Sequence, residues 1–335
     1  MEQKIIERFP GIGCAWADAS GNENAEYHGF ADRENRVITD ENTIFPACSV
    51  SKFVTAICVM KLHELRLIDI DEPADRYLRQ WKLLNADETE SGATVRNILS
   101  HTAGIADGED AFYGLRRGDP PISLTDILEG KTAYNSRPAR SEQPLGAAFE
   151  YSDAGYCVLQ LLAQEVTGKA FDDLAKSVLF DPLGLKSTFF ASPGKTARFE
   201  SRMAAGYDSD GLPIPGRFPQ VPDLAASGLW GTPKELLALA KAFIAALHGE
   251  SPLLKAESAR EIAKPVKDFP WTGLGVFIGG EDILVSKGWG ENGQCLMKMN
   301  CRSGEISVVM ANRDPGADQA ESGIEWLADR RFQVR

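Results

Sequence analysis

The chain has 335 residues, of which 43% are hydrophobic and 25% are charged, the ordinary balance of a globular protein. This length exceeds what one hydrophobic core usually holds, which predicts two closely packed domains or one large composite domain. Lysine and arginine number 36 against 48 aspartate and glutamate residues, giving a net charge of −12. We therefore expect no nucleic-acid partner and no anionic membrane partner.

The segment 1–13, MEQKIIERFPGIG, lacks the apolar core and small-residue cleavage site of a signal peptide. Its pattern predicts a short amphipathic helix that leads into a strand. No apolar run approaches the roughly 20 residues that cross a bilayer, so we expect a cytoplasmic protein. The cysteines form no C-x-x-C pair, which favours reduced, buried thiols over a disulfide framework. They lie at positions 14, 48, 58, 157, 295 and 301.

Two strands are predicted at 10–17 and 25–31, joined by the turn DASGNEN. A helix follows in which nearly every position from 53 to 65 is apolar, as in a helix buried on all sides. The middle of the chain, roughly 70–250, is rich in helical patterns. The strongest, TPKELLALAKAFIAALHG at 232–249, has a threonine cap, a proline in its first turn and a glycine stop.

From about residue 270 the pattern returns to strands, in the segments GLGVFIG, DILVSKGW, GQCLMKMN and ISVVMAN, followed by one amphipathic helix over 318–332. Strands at both ends predict an α+β fold, in which both chain ends form one antiparallel sheet flanked by helices and a mostly helical domain is inserted. We assign 1–45 and 255–335 to the sheet domain. Residues 46–254 form the helical domain, with the buried helix at the interface.

Ser49 and Lys52 stand at the head of that buried helix as a Ser-x-x-Lys pair. Three residues apart on a helix, they share one face. Burial predicts a lowered lysine pKa because desolvation disfavours the ammonium form. A neutral amine beside a hydroxyl can turn serine into a nucleophile, and the helix N-terminus favours developing negative charge.

The bare spacing also has a structural explanation, namely an N-cap serine followed by a lysine that snorkels to solvent. A second match, Ser192–Lys195 in SPGK, contains Pro-Gly and precedes no apolar helix. Its context therefore excludes it as a candidate.

Two further segments contain candidate residues. Tyr151 lies in FEYSDAGY, just before a predicted helix, where a phenol near a lysine can act as general base. The alternative is that Ser152 or Asp153 merely caps that helix. Lys287 ends a strand in SKGWGENGQ, where glycines would let a substrate backbone approach the strand edge. The alternative there is a glycine-rich turn with a solvated lysine.

Together the three segments resemble the motifs of the penicillin-recognising serine hydrolases: class C β-lactamases, DD-peptidases, and their esterase and D-aminopeptidase relatives. The order Ser-x-x-Lys, Tyr-x-Asn and then Lys/His-Thr-Gly is similar to that family. The similarity runs from about residue 10 to 330, and supporting stretches lie at 95–105, 180–190, 227–244 and 308–316.

The resemblance implies that Ser49 is the acylated nucleophile and that Lys52 and Tyr151 share the general-base role. It implies an oxyanion hole formed by the backbone N–H of Ser49 and one near Gly290. Lys287 would hold the charged position of the third motif, steering a substrate carboxylate or tuning Tyr151. Neither a metal ion nor an organic cofactor is expected.

Two departures from the family pattern bear on the substrate. Asp153 stands where the family usually has asparagine, and an ionised carboxylate cannot donate to a substrate carbonyl. This predicts a preference for a substrate that carries an amine. The third motif reads Lys287-Gly288-Trp289, in which Trp289 replaces glycine and would narrow the substrate site. A rival, WTG at 271–273, begins upstream of the strand expected to border the cleft.

We therefore predict a serine hydrolase that forms an acyl-enzyme on an ester, an amide of a D-amino-acid peptide, or a β-lactam. The substrate is a small molecule or peptide. Esterase or D-peptidase activity is favoured, because efficient β-lactam turnover is disfavoured by the altered third motif. The alternative is a weakly active or inactive penicillin-binding or sensor protein on the same scaffold. The sequence predicts no oligomeric state.

Overall fold

A computed structural model of the protein describes residues 1–332. Its strands are β1 (Gly11–Ala17), β2 (Glu23–Asp32), β3 (Val37–Ile38), β4 (Phe45–Cys48), β5 (Leu84–Asn85), β6 (Arg140–Ser141), β7 (Phe189–Phe190), β8 (Leu229–Gly231), β9 (Phe277–Gly280), β10 (Ile283–Gly290), β11 (Gly293–Asn300) and β12 (Ile306–Ala311). The main sheet has seven strands in the order β3-β2-β1-β12-β11-β10-β9, and all neighbours in it are antiparallel.

The α-helices lie mostly between the two groups of main-sheet strands. They are α1 (Glu2–Ile6), α2 (Val50–Glu64), α3 (Val95–Leu99), α4 (Leu124–Leu128), α5 (Asp153–Thr167), α6 (Phe171–Ala175), α7 (Leu224–Ser227), α8 (Pro233–Leu247), α9 (Ala256–Ala263), α10 (Gln319–Ser322) and α11 (Ile324–Arg331). A three-stranded sheet, β4-β8-β7, and a parallel pair, β5-β6, complete the strands of residues 1–332. The predicted α+β fold, with one antiparallel sheet built from both chain ends, is confirmed.

The main sheet is covered on both faces, which explains why its central strands are almost wholly apolar. Ile12 and Cys14 of β1 pack with Ile324 and Leu327 of α11 on one face. Ala15 belongs to the large core on the other face, where α8 lies against β1 and β12. Side chains alternate between the faces of a strand, so the central strands β1, β11 and β12 each contribute to both cores.

Helix α2 is surrounded by protein, as its apolar sequence predicts. It packs against α5, α7 and α9 and against the sheet at β10 and β11. Every residue from Val50 to Met60 is buried. The helix therefore joins the sheet to the inserted helices, and its first turn lies where the two meet.

Capping residues in the sequence predicted the ends of several helices correctly. Thr232 caps α8 through its side chain, with Pro233 in the first turn, and Gly168 ends α5 in the left-handed conformation. The single helix predicted over 318–332 is wrong. Gly323 adopts a φ of 92° and divides it into α10 and α11, because a left-handed residue cannot continue a right-handed helix.

No helix within residues 1–332 combines the length and the apolar composition that crossing a bilayer requires. All six cysteines are free thiols; five are buried and Cys301 is partly exposed.

Candidate active site

Ser49 lies where β4 turns sharply into α2. Cys48, the last residue of β4, has a φ of 47°, an unusual value for a residue with a side chain. Ser49 is the N-cap residue of α2, but its side chain makes no capping hydrogen bond. Its Oγ instead accepts a hydrogen bond from Lys52 Nζ at 3.1 Å. The serine therefore does not have the merely capping role that the sequence left open.

Lys52 is buried, with only 2% of its surface exposed, so it does not snorkel to solvent. Its Nζ donates to Ser49 Oγ and also to the carbonyl oxygen of Ala226 at 3.1 Å. Its ammonium forms an ion pair with Asp153, with 2.5 Å between Nζ and Oδ1. Nζ also lies 4.7 Å from the ring centroid of Tyr151. These contacts bring Ser49 and Lys52 together with Tyr151 and Asp153, which lie about 100 positions further along the chain.

The pKa of Lys52 is raised, and the lowered pKa predicted from its burial is wrong. Desolvation by burial does act to lower it, but the negative charge of Asp153 and the Tyr151 phenol raise it by more. Lys52 is therefore an ammonium group in the resting protein. The residue responsible is Asp153, at the position where the family usually has asparagine.

Tyr151 precedes α5 and is held on its aromatic face by His101, whose ring stacks on it at 4.5 Å with an interplanar angle of 25°. The next residue, Ser152, caps α5 by accepting from the backbone N of Gly155. The capping alternative is therefore correct for Ser152. The Tyr151 ring lies against the Lys52 ammonium, and its role as general base stays a prediction. Tyr151 itself remains 39% exposed.

The pKa of Tyr151 is raised, chiefly because the surrounding protein desolvates the phenolate; Lys52 opposes this and Asp153 adds to it. The side chains of Ser49 and Lys52 act to lower this pKa, but by less than burial raises it. The phenol is therefore protonated at neutral pH and can donate its proton.

His101 positions the segment that carries Tyr151. Its Nδ1 accepts a hydrogen bond from the backbone N of Ser152 at 3.1 Å, and its carbonyl oxygen accepts one from Glu150 N. Burial and the charge of Lys52 lower its pKa well below the ordinary value, so the ring is neutral. Its φ of 59° is unusual outside glycine, asparagine and aspartate. In the sequence this residue stood out only as part of the family-like stretch at 95–105.

Two further carboxylates stand near Asp153: Asp223 is buried and Asp107 is partly buried. Asp107 accepts hydrogen bonds from the backbone N of Asp153 and from the Ser152 hydroxyl, and burial raises its pKa to about 6. Asp223 accepts one from the Tyr134 hydroxyl at 2.5 Å, and burial together with Asp153 raises its pKa to about 7. Both were missed in the sequence, because isolated aspartates in loops show no pattern.

Within residues 1–332, no group of three or more His, Cys, Asp or Glu side chains is arranged to hold a metal ion.

The third motif lies on β10, with its two large side chains turned away from Ser49. Lys287 Nζ lies 3.3 Å from Glu325 Oε2 on α11, and Trp289 Nε1 donates to Asp314 Oδ1 at 2.7 Å. Alternation along the strand puts Gly288 on the opposite face. The structure thus separates Lys287 from the site where the resemblance would place it.

Gly288 is the residue of this motif that approaches Ser49. A Cβ added to Gly288 would lie 2.2 Å from the Ala47 carbonyl oxygen and 3.0 Å from the Ser49 backbone N. A Cβ on Gly290 would meet the Cys48 sulfur at 3.3 Å. Only glycine lets the two backbones come this close.

The end of β10 also has a free edge. β9 pairs only with residues 283–285 of β10, whereas β11 pairs along all of it. Within residues 1–332, positions 286–290 therefore have no strand partner on the side away from β11, and this stretch lies next to Ser49. The rival motif lies outside this segment, and its Thr272 is buried with its hydroxyl bonded to the Gly273 carbonyl.

A seven-stranded antiparallel sheet, an inserted group of helices, and a Ser-x-x-Lys helix where they meet define the penicillin-recognising class of proteins. The chain belongs to the beta-lactamase family, whose sequence profile matches residues 3–330. This confirms the resemblance found in the sequence motifs.

Individual relatives are distant. The chain is 26% identical over 210 residues to the unguisins hydrolase ungD' of Aspergillus campestris, covering 61% of this chain and 38% of that protein. It is 28% identical over 193 residues to esterase EstB of Burkholderia gladioli, covering 56% and 47%. The chain thus spans less than half the length of these relatives.

Among solved structures, the D-amino acid amidase of Ochrobactrum anthropi SV3 complexed with L-phenylalanine amide superposes with a TM-score of 0.80 at 21% identity, covering 98% of this chain and 94% of that one. The fold is therefore shared along nearly the whole chain. Curated relatives of the chain include hydrolases, among them the esterase and a teichoic acid D-alanine hydrolase of Staphylococcus aureus.

Proposed function

We propose that the protein is a serine hydrolase that forms an acyl-enzyme at Ser49 on an ester or amide substrate. The contact between Ser49 Oγ and Lys52 Nζ, 3.1 Å at the N-terminus of a buried helix, is the observation that carries the proposal. A hydroxyl held by a buried lysine and free of any capping role is available for attack on a carbonyl carbon.

The proposed chemistry has two stages. Ser49 Oγ forms a bond to the carbonyl carbon and gives up its proton, and the bond to the leaving group then breaks as that group takes a proton from the Tyr151 phenol. Lys52 returns a proton to Tyr151. In the second stage water attacks the acyl carbon, and its proton passes back through the same groups to Ser49 Oγ as the acid leaves.

The raised pKa of Lys52 requires a further proton acceptor, since an ammonium group cannot take the serine proton. Asp153 is the group in place, because its Oδ1 lies 2.5 Å from Nζ. In the proposed sequence the Lys52 ammonium passes a proton to Asp153, and the resulting amine accepts the proton of Ser49. Lys52 and Asp153 therefore act as one base.

The oxyanion hole is proposed to consist of the Ser49 backbone N–H and a backbone N–H of the free β10 edge near Gly290. The N-terminus of α2 supports negative charge at that position through the helix dipole. The proposal rests on the close approach of β10 to residues 47–49, which only the glycine at 288 permits.

The charges around Ser49 favour neutral or amine-bearing substrates over carboxylate-bearing ones. Lys52 is already paired with Asp153, and Asp107 and Asp223 add carboxylates behind it. Lys287, the cation expected to meet a substrate carboxylate, is bound to Glu325. An ester or a D-amino-acid amide fits these charges better than a β-lactam or a peptide ending in a carboxylate. Relatives named esterase and D-amino acid amidase are consistent with this choice.

The test is turnover of p-nitrophenyl esters, D-alanyl p-nitroanilide and a chromogenic cephalosporin, with the intact protein mass measured after each incubation. We expect hydrolysis of the ester or the anilide, a transient mass increase equal to the acyl group, and loss of both in Ser49→Ala. Ser192→Ala, which removes the serine of the other Ser-x-x-Lys sequence, is the matched control and should keep its activity. Absence of both adduct and turnover with every compound would refute the proposal.

Amine preference is tested by comparing D-alanyl p-nitroanilide with its N-acetyl derivative. We expect N-acetylation to lower kcat/KM in the wild type and to have a smaller effect in Asp153→Asn. Equal selectivity in the two proteins would show that Asp153 does not determine the preference for a free amine.

A second candidate is a slowly acylated binding or sensor protein, and the Lys52–Asp153 ion pair is the observation that favours it. A lysine held as an ammonium group is a poor base, so acylation or deacylation would be slow. A lasting adduct on Ser49 without turnover, in the same mass measurement, would support this function over hydrolysis.

A further inference from the structure

Four aromatic side chains form a partly exposed surface at one side of the site, which we call the aromatic wall: Phe149, Phe269, Trp271 and Phe277. Phe149 is at the centre, with its ring centroid 6.4 Å from each of the other three. Phe269 and Trp271 pack edge to face at 5.5 Å. Trp271 is 50% exposed. A cluster of aromatic rings left open to solvent is typical of a binding surface.

The aromatic wall is continuous with the candidate active site. The ring of Tyr151 lies 6.4 Å from that of Phe277, with the two planes only 16° apart. Phe149 also packs edge to face on His101. His101 in turn stacks on Tyr151, so it contacts both the wall and the phenol ring. The wall therefore begins at the phenol and extends outward along the segment that precedes β9.

The position of the phenol decides which part of a substrate lies against the wall. Tyr151 gives its proton to the leaving group, so the leaving atom must come within hydrogen-bond distance of the phenol oxygen. Whatever is attached to that atom on the side away from the carbonyl then extends past the Tyr151 ring. The neighbouring surface there is aromatic, and Lys287, which could have met a carboxylate, is turned to Glu325.

We propose that the aromatic wall binds the leaving group of the substrate, and that this group is an uncharged aromatic or bulky apolar alcohol or amine. This inference rests on the proposed acyl-enzyme function. When the bond between the acyl carbon and the leaving oxygen or nitrogen breaks, that atom takes the proton of Tyr151 and departs along the wall. Ring-to-ring contacts with Trp271 and Phe277 supply the preference.

The experiment uses three esters of one acyl group, with benzyl, ethyl and 3-carboxypropyl alcohols as leaving groups. We expect kcat/KM for the benzyl ester to exceed that for the ethyl ester by about tenfold, which corresponds to about 1.4 kcal/mol of binding free energy. The 3-carboxypropyl ester should be the poorest substrate. Trp271→Ala should reduce the benzyl-to-ethyl ratio to near one.

Phe269→Leu is a second variant that removes a wall ring with little loss of volume, and it should lower the same ratio. Trp326→Ala is the matched control, since this tryptophan packs on the far face of the sheet, and it should keep the wild-type ratio. A series of ethyl esters with acetyl and phenylacetyl acyl groups separates the two ends of the substrate.

The outcomes are distinct. An unchanged benzyl-to-ethyl ratio in Trp271→Ala, or a loss confined to the acyl series, would overturn the leaving-group assignment while ethyl ester turnover still upheld the hydrolase. If no ester is hydrolysed in a reaction that requires Ser49, the proposed function itself is overturned.

Discussion

The substitution Asp153→Asn tests the electrostatics of the site most directly, because it removes one charge and little volume. In the wild type, Asp153 and Tyr151 raise the pKa of Lys52 against the opposing effect of burial. Coulomb's law gives on the order of 7 kcal/mol for unit charges 2.5 Å apart at an effective dielectric constant of about 20. Loss of this attraction should lower the pKa of Lys52 in the variant, because burial then acts unopposed by Asp153.

The pH dependence of kcat/KM reports this change. In the wild type the Lys52 ammonium can pass its proton to Asp153, so activity does not require Lys52 to lose a proton to solvent. In Asp153→Asn that acceptor is gone, and Lys52 must lose its proton to solvent before it can accept the proton of Ser49. We therefore expect the acid limb of the variant's profile at higher pH than that of the wild type, with a lower plateau. The assay is hydrolysis of a p-nitrophenyl ester from pH 5 to 10, followed at a wavelength where both forms of the product absorb equally.

The matched control is Asp329→Asn. Asp329 also pairs with a lysine at 2.5 Å, Lys298, but on the far side of the sheet. Its loss should leave the profile unchanged. An acid limb that stays in place in Asp153→Asn, or moves to lower pH, would refute the assignment of Lys52 and Asp153 as one base.

The same substitution has a stability signature. Removing one partner of a buried ion pair typically costs about 3–5 kcal/mol because the remaining charge is uncompensated. Lys52 can relieve part of this cost by losing its proton. Denaturant unfolding should therefore show that Asp153→Asn lowers the free energy of unfolding more at pH 6 than at pH 9.

Three further predictions concern residues around this pair. Gly288→Ala should lower kcat/KM about 100-fold or more, since its Cβ would lie 2.2 Å from a backbone oxygen, whereas Gly108→Ala, with its nearest atom at 3.6 Å, should not. The pKa of Asp223 is raised from 3.8 to about 7, so the folded state keeps a proton that the unfolded state releases. The free energy of unfolding should therefore fall by up to about 4 kcal/mol as the pH rises through this range. Urea unfolding of Asp223→Asn should show a weaker decline with pH, and a decline identical to that of the wild type would contradict the shift. His101→Asn keeps the acceptor for Ser152 N and tolerates a positive φ, so its kcat/KM should exceed that of His101→Phe by about tenfold; the reverse order would show that ring stacking matters more.

The parts of the fold that the sequence predicted are those determined by neighbouring residues. The burial of α2 follows from its unbroken apolar composition, and the ends of α8 follow from Thr232 and Pro233. The strands at both ends follow from short apolar runs that are bounded by turns. Gly323 was not recognised as a break, because glycine inside a helical pattern is often tolerated and only its φ of 92° distinguishes it.

The site was predictable in its residues and not in its electrostatics. Ser49, Lys52 and Tyr151 belong to motifs, and the structure brings them together. The protonation of Lys52 depends on a carboxylate that is far away in sequence, so burial alone gave the wrong direction of its pKa change. The face of the sheet from which the Lys287 side chain projects depends on strand register. A shift of one residue in the register moves that side chain to the opposite face.

The pairing of β1 with β12 has a consequence for how the protein is made. Ile12 and Ala311 are register partners, so the centre of the main sheet joins segments from opposite ends of the chain. At a synthesis rate of about 5–20 residues per second, β1 waits roughly 15–60 s for its partner to be made. The inserted helices can collapse in that interval, but β10 cannot yet approach Ser49. Catalytic competence should therefore be the last property to appear during refolding, and ester hydrolysis would serve as a reporter of complete folding.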